Sequence, residues 1–269
     1  SEITKTVKIV GDIENNKVKL PKIGFVKLIQ HREIPNDYII KSVTVSKTRT
    51  NKYYISILVE YETQVIKKDI EKVIGLDFSM KELYVDSTGY SANYPRFFRH
   101  AQEKLAKEQR KFSHRKPGSK RYEKQRLKVA KIHEHIANQR KDLLHKESHK
   151  LANAYDMVCV EDLNMQAMSQ CLNFGKSVAD NGWGMFRTFL KYKLEDQGKL
   201  LFVIDKWFPS SKMCNVCGCI NKELTLADRD WVCDCGVAHN RDRNAAINIR
   251  NFGIRTVGMT GIAQECLYQ

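Results

Sequence analysis

Four cysteines constrain this chain more than any other feature. Two residues separate Cys214 from Cys217, one separates Cys233 from Cys235, and fifteen lie between the pairs. Gly218 and Gly236 follow the pairs and permit the tight turn that a metal knuckle needs. Four thiolates in tetrahedral array suit one structural zinc ion. The second pair is one residue tighter than the commoner spacing, so Cys219 is an alternative ligand and His239 a less favoured one. A closed four-cysteine site has no open position, so the ion is expected to build structure rather than do chemistry. Such a knuckle is too small to fold alone, and metal binding is worth roughly 10 kcal/mol or more to it.

The remaining cysteines do not complete a disulfide framework. Cys159, Cys171 and Cys266 are scattered, and the N-terminus lacks a signal-peptide apolar region. A reducing cytoplasm is the expected compartment. No apolar run reaches the roughly 20 residues of a membrane span. The chain begins with Ser rather than Met, which fits a processed, trimmed or fragmentary protein. Its 46 Lys plus Arg against 31 Asp plus Glu give a net charge of +15 over 269 residues. From Arg99 to Lys150, 17 Lys/Arg stand against 6 Asp/Glu, a net +11. Charge so clustered points to a polyanion, most often nucleic acid.

Residues 1 to about 68 read as β structure, a small barrel or sandwich with a hairpin about Thr50-Asn51. Val73 to Leu76 is a buried strand interrupted by Asp77, and Leu83 to Val85 is a second strand. Two helices follow around Pro117-Gly118-Ser119. The second runs from Lys120 to about Tyr155, on the order of 50 Å. Val129, Ile132, Ile136, Leu143, Leu144, Leu151 and Tyr155 form its packing stripe, and the opposite face carries Lys and Arg suited to a phosphate backbone. Met157 to Met165 is another apolar strand bearing Glu161 and Asp162. A loop follows to about Gly184, then a helix to Lys193 and a strand from Leu200 to Asp205. Asp242, seven residues after Cys235, opens the predicted helix DRNAAINIRNFG, whose Ala245, Ala246, Ile247 and Ile249 give it a close-packing face.

A carboxylate inside an apolar strand is costly unless it is paired or coordinates a metal. Asp77, Glu161 and Asp242 are three candidates. Three converging carboxylates suit two Mg²⁺ ions, one activating water and one stabilising a leaving oxygen in phosphodiester hydrolysis. Spacing alone does not select these three. Asp86, Asp162, Asp180, Asp205, Asp228 and Asp230 have comparable local settings.

The stretches GLDFSMKELYVDSTG, VCVEDLNM, DKWFPSSKMCNVCG and CGVAHNRDRNAAINI resemble, in order, the motifs of the TnpB (OrfB) proteins of insertion sequences, which are similar to small type V CRISPR effectors. The resemblance spans about Lys68 to Gly253. It implies an α/β fold: an RNase H-like (RuvC) mixed sheet with helices, preceded by a partial β-barrel wedge domain and carrying an inserted zinc ribbon. The implied domains are the wedge at 1–68, the nuclease at 69–208 and 237–269, and the ribbon at 209–236. Asp77, Glu161 and Asp242 match the three acidic positions that hold Mg²⁺. Cys214, Cys217, Cys233 and Cys235 match the zinc ligands. The implied activity is cleavage of target DNA, guided by an RNA transcribed from the transposon end. The family's helical recognition lobe is expected to be missing from this chain. A non-cleaving guided DNA-binding protein or transposition regulator is the alternative function, and an unguided RuvC-type nuclease a further one.

Overall fold

The computed structural model describes residues 3–7, 13–14, 16–20, 23–165, 182–225 and 227–258. The sequence-predicted loop, 166 to about Gly184, lies outside them as far as residue 181, and with it Cys171 and Asp180; Cys266 lies outside them too. The chain divides by compactness into two units, Ser1–Gln64 with Lys104–Glu134, and Val65–Glu103 with His135–Gln269.

The first unit holds two antiparallel three-stranded sheets. One is ordered β1 (Ile3–Val7), β5 (Ile39–Lys47), β6 (Tyr53–Glu60), the other β2 (Ile13–Glu14), β3 (Lys17–Leu20), β4 (Gly24–Lys27). Alternating burial along β3 brings Val18 and Leu20 together with Val43 of β5, and Ile40, Val45, Ile55 and Ile57 pack around them. The hairpin at Thr50-Asn51 forms as expected. Lys47 pairs with Tyr53, and Asn51 takes the left-handed conformation at φ 63°. The hairpin turn is tied to the long helix: Thr50 donates to Glu134 at 3.1 Å, and Lys52 reaches the same carboxylate at 3.1 Å.

The basic segment forms helices α1 (Phe97–Ser113) and α2 (Lys120–Ala154), close to the expected bounds. Within the first unit, Gln125 donates to the Glu108 carbonyl and carboxylate, and Phe112 stacks against Tyr122 at 4.6 Å. Ser119 caps α2 by accepting from the Tyr122 amide.

The second unit is built on a mixed four-stranded sheet, ordered β10 (Leu200–Ile204), β9 (Met157–Glu161), β7 (Val73–Phe78), β8 (Tyr84–Asp86). The three strands β10, β9 and β7 are parallel, and β8 returns antiparallel to β7. Parallel strands need cover on both faces, which is why their sequences read as continuous apolar runs. Ile74, Leu76, Val158 and Val160 face one side. They pack with Leu144 and Leu151 of α2 and with Trp183, Phe186, Leu190 and Leu194 of α3 (Trp183–Glu195). Met157 and Cys159 face the other side with Ile204, and are covered by Ile249 and Ile254 of α4 (Arg241–Val257).

Glycine sets how closely α4 lies on the sheet. A Cβ on Gly75 would stand 2.0 Å from the Ala246 carbonyl oxygen and 2.7 Å from the Arg250 amide. At the other end of the contact, a Cβ on Gly253 would stand 2.4 Å from the Cys159 sulfur. Ala245 and Ala246 are buried as expected. Asn244, Asn248 and Asn251 are buried beside them, which hydrophobic periodicity gave no reason to expect.

Candidate active site and sulfur cluster

The pleat brings two of the carboxylates to one face. Gly75 pairs with Cys159 and Leu76 with Val160, so Asp77 and Glu161 point, like Gly75 and Cys159, toward α4. Asp242 sits in the first turn of that helix, one turn before Ala246, the residue whose carbonyl touches Gly75. Asn240 caps the helix by accepting from the Arg243 amide.

The electrostatics tie Glu161 and Asp242 to Asp77. Burial pushes the Asp77 carboxyl well above its usual range, and the charges of Glu161 and Asp242 push it further, against the opposing pull of Arg241. Burial also raises Glu161, while a hydrogen bond from the Ser210 hydroxyl to its Oε1 works the other way. Asp242 is held by two guanidinium groups, Arg229 at 2.6 Å and Arg241 at 3.2 Å.

The rival acids have local duties. Asp86 Oδ1 accepts from the Thr88 amide and hydroxyl and from the Tyr90 amide, locking a turn. Asp162 follows the end of β9, is exposed, and pairs with Arg187 at 3.4 Å. Asp205 accepts from the Trp207 amide, Asp228 from Thr225, and Asp230 from the Asn240 side chain. The charges that act most strongly on Asp77 are instead those of Glu161, Asp242 and Arg241.

The cysteines form a second cluster. One sulfur from each of Cys214, Cys217, Cys233 and Cys235 lies within 4.8 Å of all the others. Cys217 and Cys233 are 3.5 Å apart, and Cys214 and Cys235 3.8 Å. A tetrahedral zinc with bonds of about 2.3 Å spaces its sulfurs by about 3.8 Å, so the set fits that ion. Gly218 and Gly236 both turn left-handed, at φ 79° and 86°. Their amides close the two knuckles onto the Cys214 and Cys233 carbonyls. The backbone N–H of Cys219 and the Cys233 thiol hold Cys217 down to about 6, while Cys233, despite a backbone hydrogen bond that lowers it, is pushed up to about 12 by burial and the neighbouring thiols, as in a set of sulfurs close enough to share a proton. His239 lies outside the group of four and sets its Nε2 3.1 Å from the Cys214 sulfur. Among the described residues no carboxylate set is drawn as close as these sulfurs.

Several residues of the site carry no signal in hydropathy or ligand spacing. Ser210 touches Glu161 through its hydroxyl, and its carbonyl accepts from Asn248 at 2.7 Å. Asn248 and Asn244 both donate to the Met213 carbonyl, at 2.6 and 2.7 Å, and Asn244 accepts from the Asn215 amide. Two buried asparagines of α4 thus hold the loop that joins Glu161 to the first cysteine knuckle. The repeated Asn in NAAIN, four residues apart and so on one helix face, was the available signal.

Comparisons with known proteins bear on the chain's family and fold. Residues 56–172 match the OrfB_IS605 family, described as a probable transposase, and residues 183–249 match the Cas12f1-like TNB domain. A putative RNA-guided DNA endonuclease of Streptomyces pristinaespiralis is 37% identical over 223 residues, 83% of this chain and 55% of that protein. The putative RNA-guided DNA endonuclease InsQ of Escherichia coli (strain K12) is 31% identical over 258 residues, 90% of this chain and 63% of that protein. The chain therefore spans little more than half the length of these relatives. In fold, it resembles the Cas12f1 chain of a cryo-EM structure with sgRNA and target DNA. The TM-score is 0.54 at 18% identity, over 80% of this chain and 46% of that one. With two family matches that follow one another along the sequence and relatives aligned over most of its length, the chain belongs to the TnpB (OrfB) family.

Proposed function

We propose that this chain carries the catalytic portion of an RNA-guided DNA endonuclease of a transposable element. The observation that carries the reading is the convergence of three acidic charges at Asp77, on the face of the sheet covered by α4. Like charges brought together in a partly buried place favour a cation, and an all-oxygen donor set suits Mg²⁺. In this reading the sheet is RNase H-like, of RuvC type, and Asp77, Glu161 and Asp242 hold two Mg²⁺ ions. Bound there, the ions supply a nucleophilic water and neutralise the charge of the leaving oxygen.

The protein's own groups position the rest. Ser210 orients the Glu161 carboxylate, and Arg229 and Arg241 orient Asp242. The sulfur cluster holds one structural zinc and makes residues 209–236 a ribbon beside the site. Residues 1–68 form the wedge, and 69–208 with 237–269 the nuclease. Lysines and arginines on the exposed faces of α1 and α2 track phosphates, with base pairing to a guide RNA reading the sequence.

The test is cleavage of a plasmid bearing a sequence complementary to the RNA that copurifies with the chain. Asp77→Ala, Glu161→Ala and Asp242→Ala should each lower cutting by about a thousandfold or more and leave binding largely intact. Full cutting by any one removes that residue from the site. Equal cutting of unrelated plasmid overturns the guided reading. Guide-dependent binding with no cutting by the parent chain would instead make it a regulator acting by occupancy.

A further inference from the structure

Trp207 stands out from the chain's other tryptophans. Trp183 and Trp231 are 1% and 8% exposed, whereas Trp207 is 80% exposed. An exposed aromatic on a loose loop would mean little, but this one is mounted. The chain leaves β10, the edge strand, at Ile204, which is buried and pairs in register with Glu161. Asp205 then accepts from the Trp207 amide at 2.7 Å, and its carbonyl accepts from the Phe208 amide at 3.1 Å. Phe208 is anchored against Phe252 of α4 at 4.6 Å, and Ser210 ends the turn on the Glu161 carboxylate. The indole therefore lies three residues from each of two points fixed at Glu161. Lys206 sets its ammonium 5.1 Å from the ring centroid. At 80% exposure, the rest of the ring is open to solvent.

A flat apolar ring with an ammonium beside it matches an unpaired nucleotide. The π-face takes a base of any sequence, and the cation takes a neighbouring phosphate. A base-paired strand offers no free face, so the platform selects single-stranded over duplex nucleic acid. We propose that Trp207 and Lys206 form a stacking platform for an unpaired base of the DNA strand being cut, next to the proposed nuclease site at Glu161. This rests on the nuclease reading above and adds to it a subsite.

The three-tryptophan composition makes the platform directly observable. The Asp77→Ala chain with Mg²⁺ is titrated with a dye-labelled single-stranded oligodeoxynucleotide, and with one of equal length whose central bases are replaced by abasic sites. Dye anisotropy reports binding, and tryptophan emission reports stacking. The base-bearing strand should quench the emission, and Trp207→Phe should remove that quench. The abasic strand should bind about tenfold more weakly and leave the emission unchanged. Trp207→Ala should weaken binding of the base-bearing strand about fivefold or more, and Trp207→Phe by less. Equal quenching by both strands, or wild-type affinity in Trp207→Ala, overturns the platform. If the strand binds and the parent chain cuts while Trp207→Ala behaves as wild type, the platform alone falls. If neither strand binds at any concentration, the platform and the nuclease reading fall together.

Discussion

The sulfur cluster and the carboxylate cluster are both candidate metal centres, and they are built in opposite ways. The four sulfurs come from residues 214 to 235, on two glycine-closed knuckles, and already lie at ligand spacing. Among the described residues, the core around them is Cys214, Leu224, Trp231 and Cys233. The three carboxylates come from two strands and a helix spread over residues 77 to 242. They sit on a large core that owes nothing to them. In the proposed reading the first arrangement needs its metal in order to fold. The second is folded by the surrounding packing and held in an electrostatically unfavourable state. In that reading the sulfur cluster serves stability and the carboxylates serve chemistry.

Removing the metal from the sulfur cluster should have the largest effect. Structural zinc in small knuckles is worth about 10–16 kcal/mol, far more than the Leu224 and Trp231 pair can replace. Cys233→Ser should leave the purified protein with well under one zinc per chain. Amides of residues 214–240 should then exchange freely in hydrogen-exchange measurements, while those of β7 and β9 stay protected. Full protection of the ribbon in a zinc-free chain would show that packing builds it, and the contrast would fail.

Gly75→Ala acts on the other side. The new Cβ has nowhere to go against the α4 backbone, so the helix that carries Asp242 must move. A cost of about 3 kcal/mol or more is expected, with cleavage lost and zinc retained. Thermal unfolding and metal analysis on the same sample check both halves. Unchanged stability would mean that α4 does not set the approach of Asp242.

Asp77→Asn should reverse the usual direction of an active-site change. Folding raises the Asp77 carboxyl above its unfolded value, so the folded state holds its proton to higher pH than the unfolded state does. Below the unfolded value both states are protonated and there is no penalty. The penalty grows as pH rises through the window up to the raised value, and is full beyond it. At neutral pH without divalent ions, Asp77→Asn should therefore raise Tm by a few degrees, about 1 kcal/mol, while abolishing cleavage. The gain should shrink as pH falls toward 4. A lower Tm at neutral pH would mean that the carboxylate stabilises the site it occupies.

The same contrast governs what the sequence could reveal. The sulfur cluster was legible because its cysteines are close in the chain, and local spacing is what a sequence displays. The elements of the sheet were legible from their apolar runs, and the stripe of α2 from its period. The choice of Asp77, Glu161 and Asp242 over six rivals was not legible from spacing, because convergence depends on strand order and pleat. The resemblance to known motifs supplied it. The buried asparagines escaped because polarity normally marks a surface. Asn244 and Asn248 are buried because each spends its side chain on the backbone of the loop it holds. Gly75 escaped because a glycine inside a strand says that something approaches closely but not what.

The smallest and sharpest test lies where the two regions meet. Ser210 belongs to the loop that leads into the first knuckle, yet its hydroxyl rests on Glu161. That bond favours the carboxylate over the acid, against the burial that raises it. Ser210→Ala removes the donor, so the Glu161 carboxyl should titrate at higher pH. The acidic limb of the pH–rate profile should move upward, and cutting on that limb should fall by about threefold to tenfold. Ser210→Thr keeps the hydroxyl and should restore most of both. Zinc content should not change in either variant, because the Ser210 carbonyl held by Asn248 is untouched. A rate loss with an unshifted limb would make Ser210 a structural part of the ribbon and no more. A shifted limb rescued by threonine would show that the ribbon sets the charge of a nuclease carboxylate as well as its place.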